Sequence, residues 1–246
     1  MKLEKKEKIK ILTISDHPLS PSGVGTQTRY VIEALLKSGK FQVISLGGAM
    51  KHDDYTIARI EPFEDDWLVI PVDGYGNPDL IRSLLRQHRP DILYFMTDPR
   101  FYDWLWKIED EVRECVPMIY YHVWDNYPYP HYNKVWYNSN DYIATISKVT
   151  SDIVQTVAPN VEEKYVPHAV QGEIFKKLSD PESLGRIAAI KKQINATNKF
   201  IFFWNNRNAR RKQSGSLVFW YKEFMDKLKK KHKGAKCTLL MHTEAN

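Results

Sequence analysis

The chain has 246 residues, of which 43% are hydrophobic and 27% charged, with a net charge of +6. These values are typical of a globular protein with one large domain or two smaller ones. The sequence contains no apolar run long enough to span a membrane, and its charged start, MKLEKKEKIK, argues against a secretory signal. Cys115 and Cys237 lack metal-ligand spacing and are expected to be reduced core thiols of a cytoplasmic protein.

The charge is unevenly distributed along the chain. Residues 197–246 contain 12 Lys/Arg against 3 Asp/Glu, a net charge of +9, whereas the first 196 residues contain 24 against 27, a net charge of −3. This contrast predicts two parts with a boundary between them. The lysine run at 227–233 is interpreted as the solvated end of a helix, where cations suit the helix dipole. No aromatic residue interleaves with those lysines, so nucleic-acid binding is not favoured.

The first predicted elements open an α/β domain. A strand at 8–15 is followed by a Pro-, Ser- and Gly-rich loop at 16–26 and an amphipathic helix at 27–36. Strand, glycine loop and helix in this order begin a doubly wound domain with a parallel sheet. The loop motif SGVG lets the backbone approach a ligand. It lacks the third glycine of a dinucleotide site and the Gly-Lys-Ser/Thr ending of a P-loop.

The alternation of strands and helices then continues to residue 166. Strands are predicted at 41–46, 67–72, 92–96, 117–122, 141–146 and 163–166. Helices are predicted at 79–88, 102–114 and 148–157, the last with Ser147 as its cap. Parallel pairing with right-handed crossovers follows from this order. A polar connection at 176–198 is expected to separate a first domain at 1–175 from a second at 199–246.

The second domain is predicted from the stretch KFIFFWNNRNARRKQSG at 199–215. The apolar run at 200–204 predicts a strand buried on both faces. A helix is predicted from residue 214 onward and a second strand at 237–242. Between the first strand and the helix lies a cationic loop, with Arg207, Arg210, Arg211 and Lys212. A strand end, fixed cations and a helix start together form an anion site, so the sequence predicts phosphate binding here.

Two strands and one or two helices do not cover both faces of a parallel sheet. The second domain is therefore expected to be incomplete. Either the chain is a fragment of a longer protein, which we favour, or the second part is a minimal lobe. A second chain supplying the missing half is a further alternative.

Four stretches carry a resemblance to a known family: SGVGTQTRYVIEALLK, ATISKVTSDIV, VPHAVQGEIFKK and FFWNNRNARRKQ. They resemble the glycine-rich acceptor-side loop, the strand-serine-helix unit, the P-(N/H)-G-V-D-x-x-x-F hinge segment and the G-R-x-x-x-x-K diphosphate segment of family-four glycosyltransferases. That family is retaining, uses nucleotide sugars and has the GT-B fold of two Rossmann-like domains. The resemblance implies an acceptor-side N-terminal domain and the start of a donor-binding domain.

The resemblance also implies roles for individual residues. It implies that Arg207 and Lys212 contact the donor diphosphate. The arginine would form two parallel hydrogen bonds to phosphate oxygens, and the lysine would contribute a localised positive charge. It places the loop from Gly23 to Gly25 against the donor phosphates or the acceptor. His122 would lie beside the donor sugar and the acceptor hydroxyl, with Asp125 in the same neighbourhood. Family members of this kind need no metal, and the resemblance implies no cofactor besides the nucleotide-sugar substrate.

Several of these residues have a structural alternative. His122 is nearly as well explained as a hydrogen-bonded histidine in an aromatic-rich loop. Ser147 is interpreted as a helix cap and His168 as a residue that shapes a turn. Five aromatic residues could form a sugar-stacking platform or could simply pack, and packing is preferred: Trp124, Tyr127, Tyr129, Tyr132 and Trp136.

The sequence also departs from the family pattern. Asn206 stands where a glycine is usual, and Ala169 and Gln171 replace the glycine and aspartate of the hinge segment. The paired-glutamate motif that contacts the donor is missing, since Glu244 has no partner glutamate. The chain is therefore expected to bind nucleotide sugar weakly or not at all.

The favoured interpretation is a glycosyltransferase that moves a sugar from a nucleoside diphosphate sugar to an unidentified acceptor with retention of configuration. The alternative is a non-catalytic Rossmann-like module that binds a glycan or a partner and has a basic C-terminal tail. A nucleic-acid binder driven by that tail is a second rival, and it predicts binding that falls steeply with salt.

Overall fold

The structure, a computed structural model, describes residues 8–244. The chain divides into two compact units, Met1–Val170 and Gln171–Asn246. The division falls close to the end of the first domain predicted at residue 175. Most of the charged start, residues 1–7, lies outside the described residues, as do residues 245 and 246.

The first unit alternates strands and helices, as predicted. Its strands are β1 (Ile9–Asp16), β2 (Phe41–Gly48), β3 (Ala58–Ile60), β4 (Glu64–Pro71), β5 (Ile92–Met96), β6 (Met118–His122), β7 (Tyr142–Thr145) and β8 (Glu163–Tyr165). Its α-helices are α1 (Gly23–Lys37), α2 (Pro78–His88), α3 (Asp103–Trp106), α4 (Glu109–Arg113), α5 (Lys134–Asn138) and α6 (Lys148–Val157). Two short 3₁₀ turns lie at Pro99–Tyr102 and His131–Asn133.

The eight strands form one sheet in the order β3-β4-β2-β1-β5-β6-β7-β8. All pairs are parallel except β3 with β4, which is antiparallel. The chain moves outward from β1 to β2 and β4 and then returns to β5 on the other side of β1. This confirms the doubly wound α/β class and creates a switch point between β1 and β5. In such sheets, ligands bind outside the carboxyl ends of the strands at that point.

Apolar side chains from alternate positions of the central strands pack on opposite faces of the sheet. On one face, Leu12 and Phe95 belong to the large buried cluster shared with α2 to α6. On the other face, Ile11 and Val43 pack with Ile32 of α1. Period-2 alternation along a strand puts neighbouring side chains on opposite faces, so both faces of β1 are buried.

Several features of the first unit differ from the prediction. Helix α1 begins at Gly23, four residues before the predicted start, because Ser22 caps it. The edge strand β3 was not predicted, since its short, mostly exposed segment carries no apolar pattern. Cys115 is exposed, so its expected place in the core is wrong.

The predicted helix at 102–114 is interrupted. A 3₁₀ turn at Pro99–Tyr102 leads into α3, and α4 starts only at Glu109. Between the two helices, the N–H of Ile108 donates to the Leu105 carbonyl, three residues back, at 3.1 Å. The indole of Trp106 donates to the Pro99 carbonyl at 2.9 Å, a contact that helical periodicity does not encode.

The second unit contains α7 (Pro181–Gln193), β9 (Phe200–Asn205), α8 (Ser214–Lys231) and β10 (Cys237–His242). Strands β9 and β10 pair in parallel. The prediction that β9 is buried on both faces is wrong, because Phe200 is 64% and Phe203 63% exposed. Within the described residues of this unit the sheet has two strands, and α8 contacts it through rings that pack against Phe202.

Among residues 8–244, no helix has the length and apolar character needed to cross a membrane.

Candidate functional site

The carboxyl end of β1 carries a hydrogen-bonded carboxylate at the switch point. Asp16 is 9% exposed, and its carboxylate accepts hydrogen bonds from the Ser22 hydroxyl at 2.6 Å and the Tyr75 hydroxyl at 2.7 Å. The Ser22 oxygen in turn accepts the Gly25 N–H at 2.9 Å. This chain of bonds fixes the first turn of α1 directly above the end of β1.

The two glycines predicted to contact the donor lie in that first turn and differ in their surroundings. A Cβ on Gly25 would lie 2.5 Å from the His17 carbonyl oxygen, a distance that real Cβ atoms essentially never show. A Cβ on Gly23 would meet no atom within 4 Å. The close packing around Gly25 therefore requires a glycine there. At Gly23 the space beside the backbone is empty, so a ligand could approach the start of the helix.

A second pair of glycines ends β2 beside the same crevice. Side chains at Gly47 would collide with the His17 ring, and side chains at Gly48 with the Gly74 carbonyl. The Gly47 carbonyl is hydrogen-bonded to Nε2 of His52 at 2.7 Å. Burial, with a smaller contribution from His52, lowers the pKa of His17. The double glycine was visible in the sequence, but its partners are distant in the chain.

Asp98, which follows β5 across the switch point, was missed by the sequence analysis. Burial alone would raise the pKa of its carboxyl group, but hydrogen bonds from Arg100 outweigh that effect, and the pKa is lowered. The Arg100 guanidinium donates two hydrogen bonds to the Asp98 carboxylate, from Nε to Oδ1 at 2.9 Å and from Nη2 to Oδ2 at 2.6 Å. Asp98 therefore presents a fixed, ionised carboxylate at the strand end.

His122 ends β6 and is completely buried. Its Nε2 shares a hydrogen bond with the Tyr137 hydroxyl at 2.7 Å, while its Nδ1 has no hydrogen-bond partner among residues 8–244. Burial lowers the pKa of His122 to about 3, opposed only by the charge of Asp98, so the imidazole is neutral at physiological pH. Asp125 is exposed on the following loop. The structure thus places the two predicted catalytic residues in different environments, one in the core and one at the surface.

The aromatic run after β6 divides into packed and exposed members. Trp124 is 8% exposed, Trp136 stacks on Trp106 with ring centroids 6.5 Å apart, and Tyr129 packs against the core. The preferred packing interpretation is confirmed for these three. Tyr127 and Tyr132, by contrast, are 88% and 70% exposed.

Ser147 is the helix cap that was expected, whereas His168 lies in a segment without a turn and packs against a neighbouring ring. The Ser147 oxygen accepts the Thr150 N–H at 3.1 Å and caps α6. The His168 ring lies edge-on to Tyr121, with centroids 5.5 Å apart, and burial lowers its pKa. Ala169, which replaces the family's usual glycine, is hydrogen-bonded to α1. The Gln27 side-chain amide donates to the Ala169 carbonyl at 2.6 Å and accepts from the Ala169 N–H at 3.2 Å.

The cationic loop of the second unit connects β9 to α8, as predicted. Arg207 is 81% exposed, and its Nε lies 3.7 Å from Oε2 of Glu244. Lys212 ends a 3₁₀ turn at Arg210–Lys212, and Gln213 follows with a left-handed φ of 53°. Arg207 is free to engage a ligand, because a loose surface ion pair of this kind contributes little. Lys212 is half-buried.

Gln213, the residue before α8, makes no capping hydrogen bond with its side chain, and the Ser214 hydroxyl at the helix start donates to Asn208 Oδ1 at 2.8 Å. Helices α1, α2, α6 and α7 have capping side chains, supplied by Ser22, Asn77, Ser147 and Asp180, whereas the short helices α3, α4 and α5 also have none. The first N–H groups of an uncapped helix remain available as donors, and the helix dipole favours an anion at the same place. This arrangement is chemically suited to hold a phosphate group.

Comparison with known proteins shows a structural likeness only. No family model matches the chain, and no curated protein matches its sequence. Sucrose-phosphate synthase from Thermosynechococcus elongatus matches with a TM-score of 0.64 and 12% identity, covering 96% of this chain and 71% of that one. A trehalose-6-phosphate protein from E. coli, solved with bound UDP-2-fluoro glucose, matches with a TM-score of 0.62 and 12% identity, covering 96% and 65%.

A glycosyltransferase from Rickettsia africae also matches, with a TM-score of 0.61 and 14% identity, covering 97% of this chain and 69% of that one. The chain therefore spans about two thirds of the length of these structures. At such low identity the likeness establishes the fold alone, a Rossmann-like α/β unit followed by the beginning of a second one, as the sequence predicted.

Proposed function

We propose that this chain is part of a glycosyltransferase that moves a sugar from a nucleoside diphosphate sugar to an acceptor with retention of configuration. The observation that carries the proposal is the junction of β9 and α8, where Arg207 and Lys212 adjoin an uncapped helix N-terminus. The likeness in fold to a sucrose-phosphate synthase, a trehalose-6-phosphate protein solved with UDP-2-fluoro glucose and a further glycosyltransferase supports it. We place the protein in the cytoplasm, in line with its two free cysteines.

The second unit would hold the leaving group of the reaction. As the bond to the sugar breaks, negative charge grows on the departing diphosphate. A guanidinium at Arg207, an ammonium at Lys212 and the first N–H groups of α8 oppose that charge with fixed positive charge and donors. Since these groups are supplied by the chain itself, the proposed mechanism uses no metal.

The first unit would supply the acceptor side. Asp98 and the open backbone at Gly23 lie at the switch point of the sheet, where ligands bind in this class of fold. His122 contributes as a neutral hydrogen-bonding group behind that edge, and Asp125 as an exposed carboxylate near it. An imidazole with so low a pKa is a poor proton acceptor near pH 7, so catalysis would rest on positioning and on electrostatics at the diphosphate.

Calorimetric titration with UDP, GDP, ADP and their glucose conjugates tests this function. We expect weak but saturable binding that depends on the base, with affinity at least about tenfold lower in the Arg207→Ala/Lys212→Ala variant. The matched control is Lys229→Ala/Lys230→Ala, which removes the same charge from the far end of α8. Equal losses in both variants, or binding that is the same for all three bases, would overturn the proposal.

A further inference from the structure

Side chains of the first unit hold the segment 166–169, which ends one residue before that unit does. The Tyr121 hydroxyl donates to the Val166 carbonyl at 2.9 Å. Gln27 of α1 forms both hydrogen bonds that a neighbouring strand would form with Ala169. Its side-chain amide donates to the carbonyl at 2.6 Å and accepts from the N–H at 3.2 Å. We refer to residues 166–169 as the anchored segment.

Beyond the anchored segment the contacts become local. In the described part of the chain, the hydrogen bonds and ion pairs of residues 170–179 join residues at most four positions apart. The N–H groups of Ile174 and Phe175 donate to the Gln171 carbonyl, at 3.0 Å and 2.9 Å. All residues from 170 to 179 are exposed. The chain is therefore held by the first unit as far as Ala169, and only by its own neighbours after it.

We propose that Gln27 is a positioning residue that sets where the free connection between the two units begins. A segment with only local bonds can change its backbone angles at little cost, and such segments absorb motions between domains. With Gln27 bound to Ala169, that segment starts at Val170. Without this contact it would start after Val166, because Tyr121 is the next side chain that holds the backbone.

The neighbouring His168 does not replace Gln27. Its ring lies edge-on to Tyr121, with centroids 5.5 Å apart, but its contact is made by the ring and not by the backbone. The hydrogen bonds to both backbone groups of Ala169 come from Gln27. A ring contact leaves the peptide groups on either side free to rotate, whereas a pair of hydrogen bonds to one residue fixes both of them.

Gln27 is itself mounted on a fixed part of the fold. The Ser22 cap, which Asp16 holds, fixes the first turn of α1, and Gln27 follows in the next turn. A carboxamide suits Ala169 because it offers a donor and an acceptor at once. A glutamate would keep the bond from the N–H and lose the bond to the carbonyl. The end of β1 and the start of the connection are thus joined through one helix turn.

Backbone ¹⁵N relaxation and amide hydrogen exchange of the whole chain test this inference. In the unaltered chain the order parameter of the Ala169 amide should be about 0.85, as in rigid backbone, and that of Gly172 should lie below about 0.6. In Gln27→Ala the Ala169 value should also fall below about 0.6. Its N–H should exchange at least about tenfold faster, because the bond that protects it is gone. Gln27→Glu, which keeps the acceptor, should restore part of that protection.

The matched control is Gln42→Ala. Gln42 also donates its amide to a distant backbone carbonyl, that of Asp65 at 2.8 Å, so its loss should leave Ala169 ordered. Thermal melts of both variants separate loss of the anchor from loss of folding, and we expect equal melting temperatures because α1 keeps its cap and its buried face.

Unchanged order and exchange at Ala169 in Gln27→Ala, or equal loosening in Gln42→Ala, would overturn the inference. An Ala169 amide that is already as mobile as that of Gly172 in the unaltered chain would overturn it as well. These measurements involve neither nucleotide nor sugar, so their outcome is independent of whether the transferase proposal stands.

Discussion

The Asp16 carboxylate accepts a hydrogen bond from the Ser22 hydroxyl at 2.6 Å, and the same hydroxyl accepts the Gly25 N–H at 2.9 Å. A capping residue usually acts alone, but here a nearly buried carboxylate at the end of β1 orients it. The start of α1 and the end of β1 are thereby joined into one rigid unit at the switch point of the sheet.

Replacing Ser22 with alanine should destabilise the chain by about 1–2 kcal/mol, since it removes the cap and leaves the Asp16 carboxylate with one fewer donor. Ser147→Ala, which removes a cap that no carboxylate supports, should cost about 1 kcal/mol. Urea unfolding of both variants measures the difference. An equal or smaller effect at Ser22 would show that the carboxylate adds nothing to the cap.

The two glycines of the first turn should respond in opposite directions to alanine. Gly25→Ala forces a Cβ against the His17 carbonyl and should destabilise by about 1–3 kcal/mol. Gly23→Ala meets open space and improves helix propensity, so it should be neutral or stabilising by up to about 1 kcal/mol. Chemical denaturation of the pair measures both effects, and equal destabilisation would contradict the structure.

Stability should fall as the pH drops below about 6.5, the ordinary pKa of histidine. His122 is neutral in the folded chain with its pKa lowered to about 3, so below pH 6.5 the unfolded chain binds a proton that the folded chain does not. The expected loss from this group is about 2 kcal/mol between about pH 6.5 and about pH 5. His17, His88 and His168 also have lowered pKa values and act in the same direction.

Melting temperatures measured from about pH 7.5 to about pH 5 test this effect of burial. His122→Gln should flatten the pH dependence, whatever its stability at neutral pH. His131→Gln, which alters an exposed histidine of the same loop, should retain the full slope. A slope unchanged by His122→Gln would mean that this imidazole is not buried in its neutral form.

Elements with strong local signals could be predicted closely from the sequence. Helix α6 has the predicted bounds because Ser147 supplies a local cap, and β5 and β10 coincide with short apolar runs. The burial of β9 was predicted wrongly, because an apolar run does not reveal whether other elements cover it. The break between α3 and α4 was also missed, since it accompanies tertiary contacts of Trp106 rather than a helix-breaking residue.

Strand ends and glycines in the sequence pointed to the carboxyl edge of the sheet as the candidate site, and the contacts at that edge could not be predicted. The partners that shape that edge are far apart in the chain: Asp16 and Tyr75 are 59 residues apart, and Gln27 and Ala169 are 142 apart. A single sequence carries no signal that pairs such residues. The roles of His122 and Asp125 in catalysis therefore remain predictions.

The most direct test of the central proposal is to observe the backbone amides of Gly215 and Ser216, at the uncapped start of α8, during titration with a nucleoside diphosphate. In ¹H–¹⁵N spectra, UDP and inorganic pyrophosphate should shift these two amides, because their N–H groups would donate to phosphate oxygens. Uridine, which lacks the diphosphate, should not shift them. Unmoved amides at Gly215 and Ser216, or shifts confined to the lysines at the other end of α8, would contradict a diphosphate site at this helix.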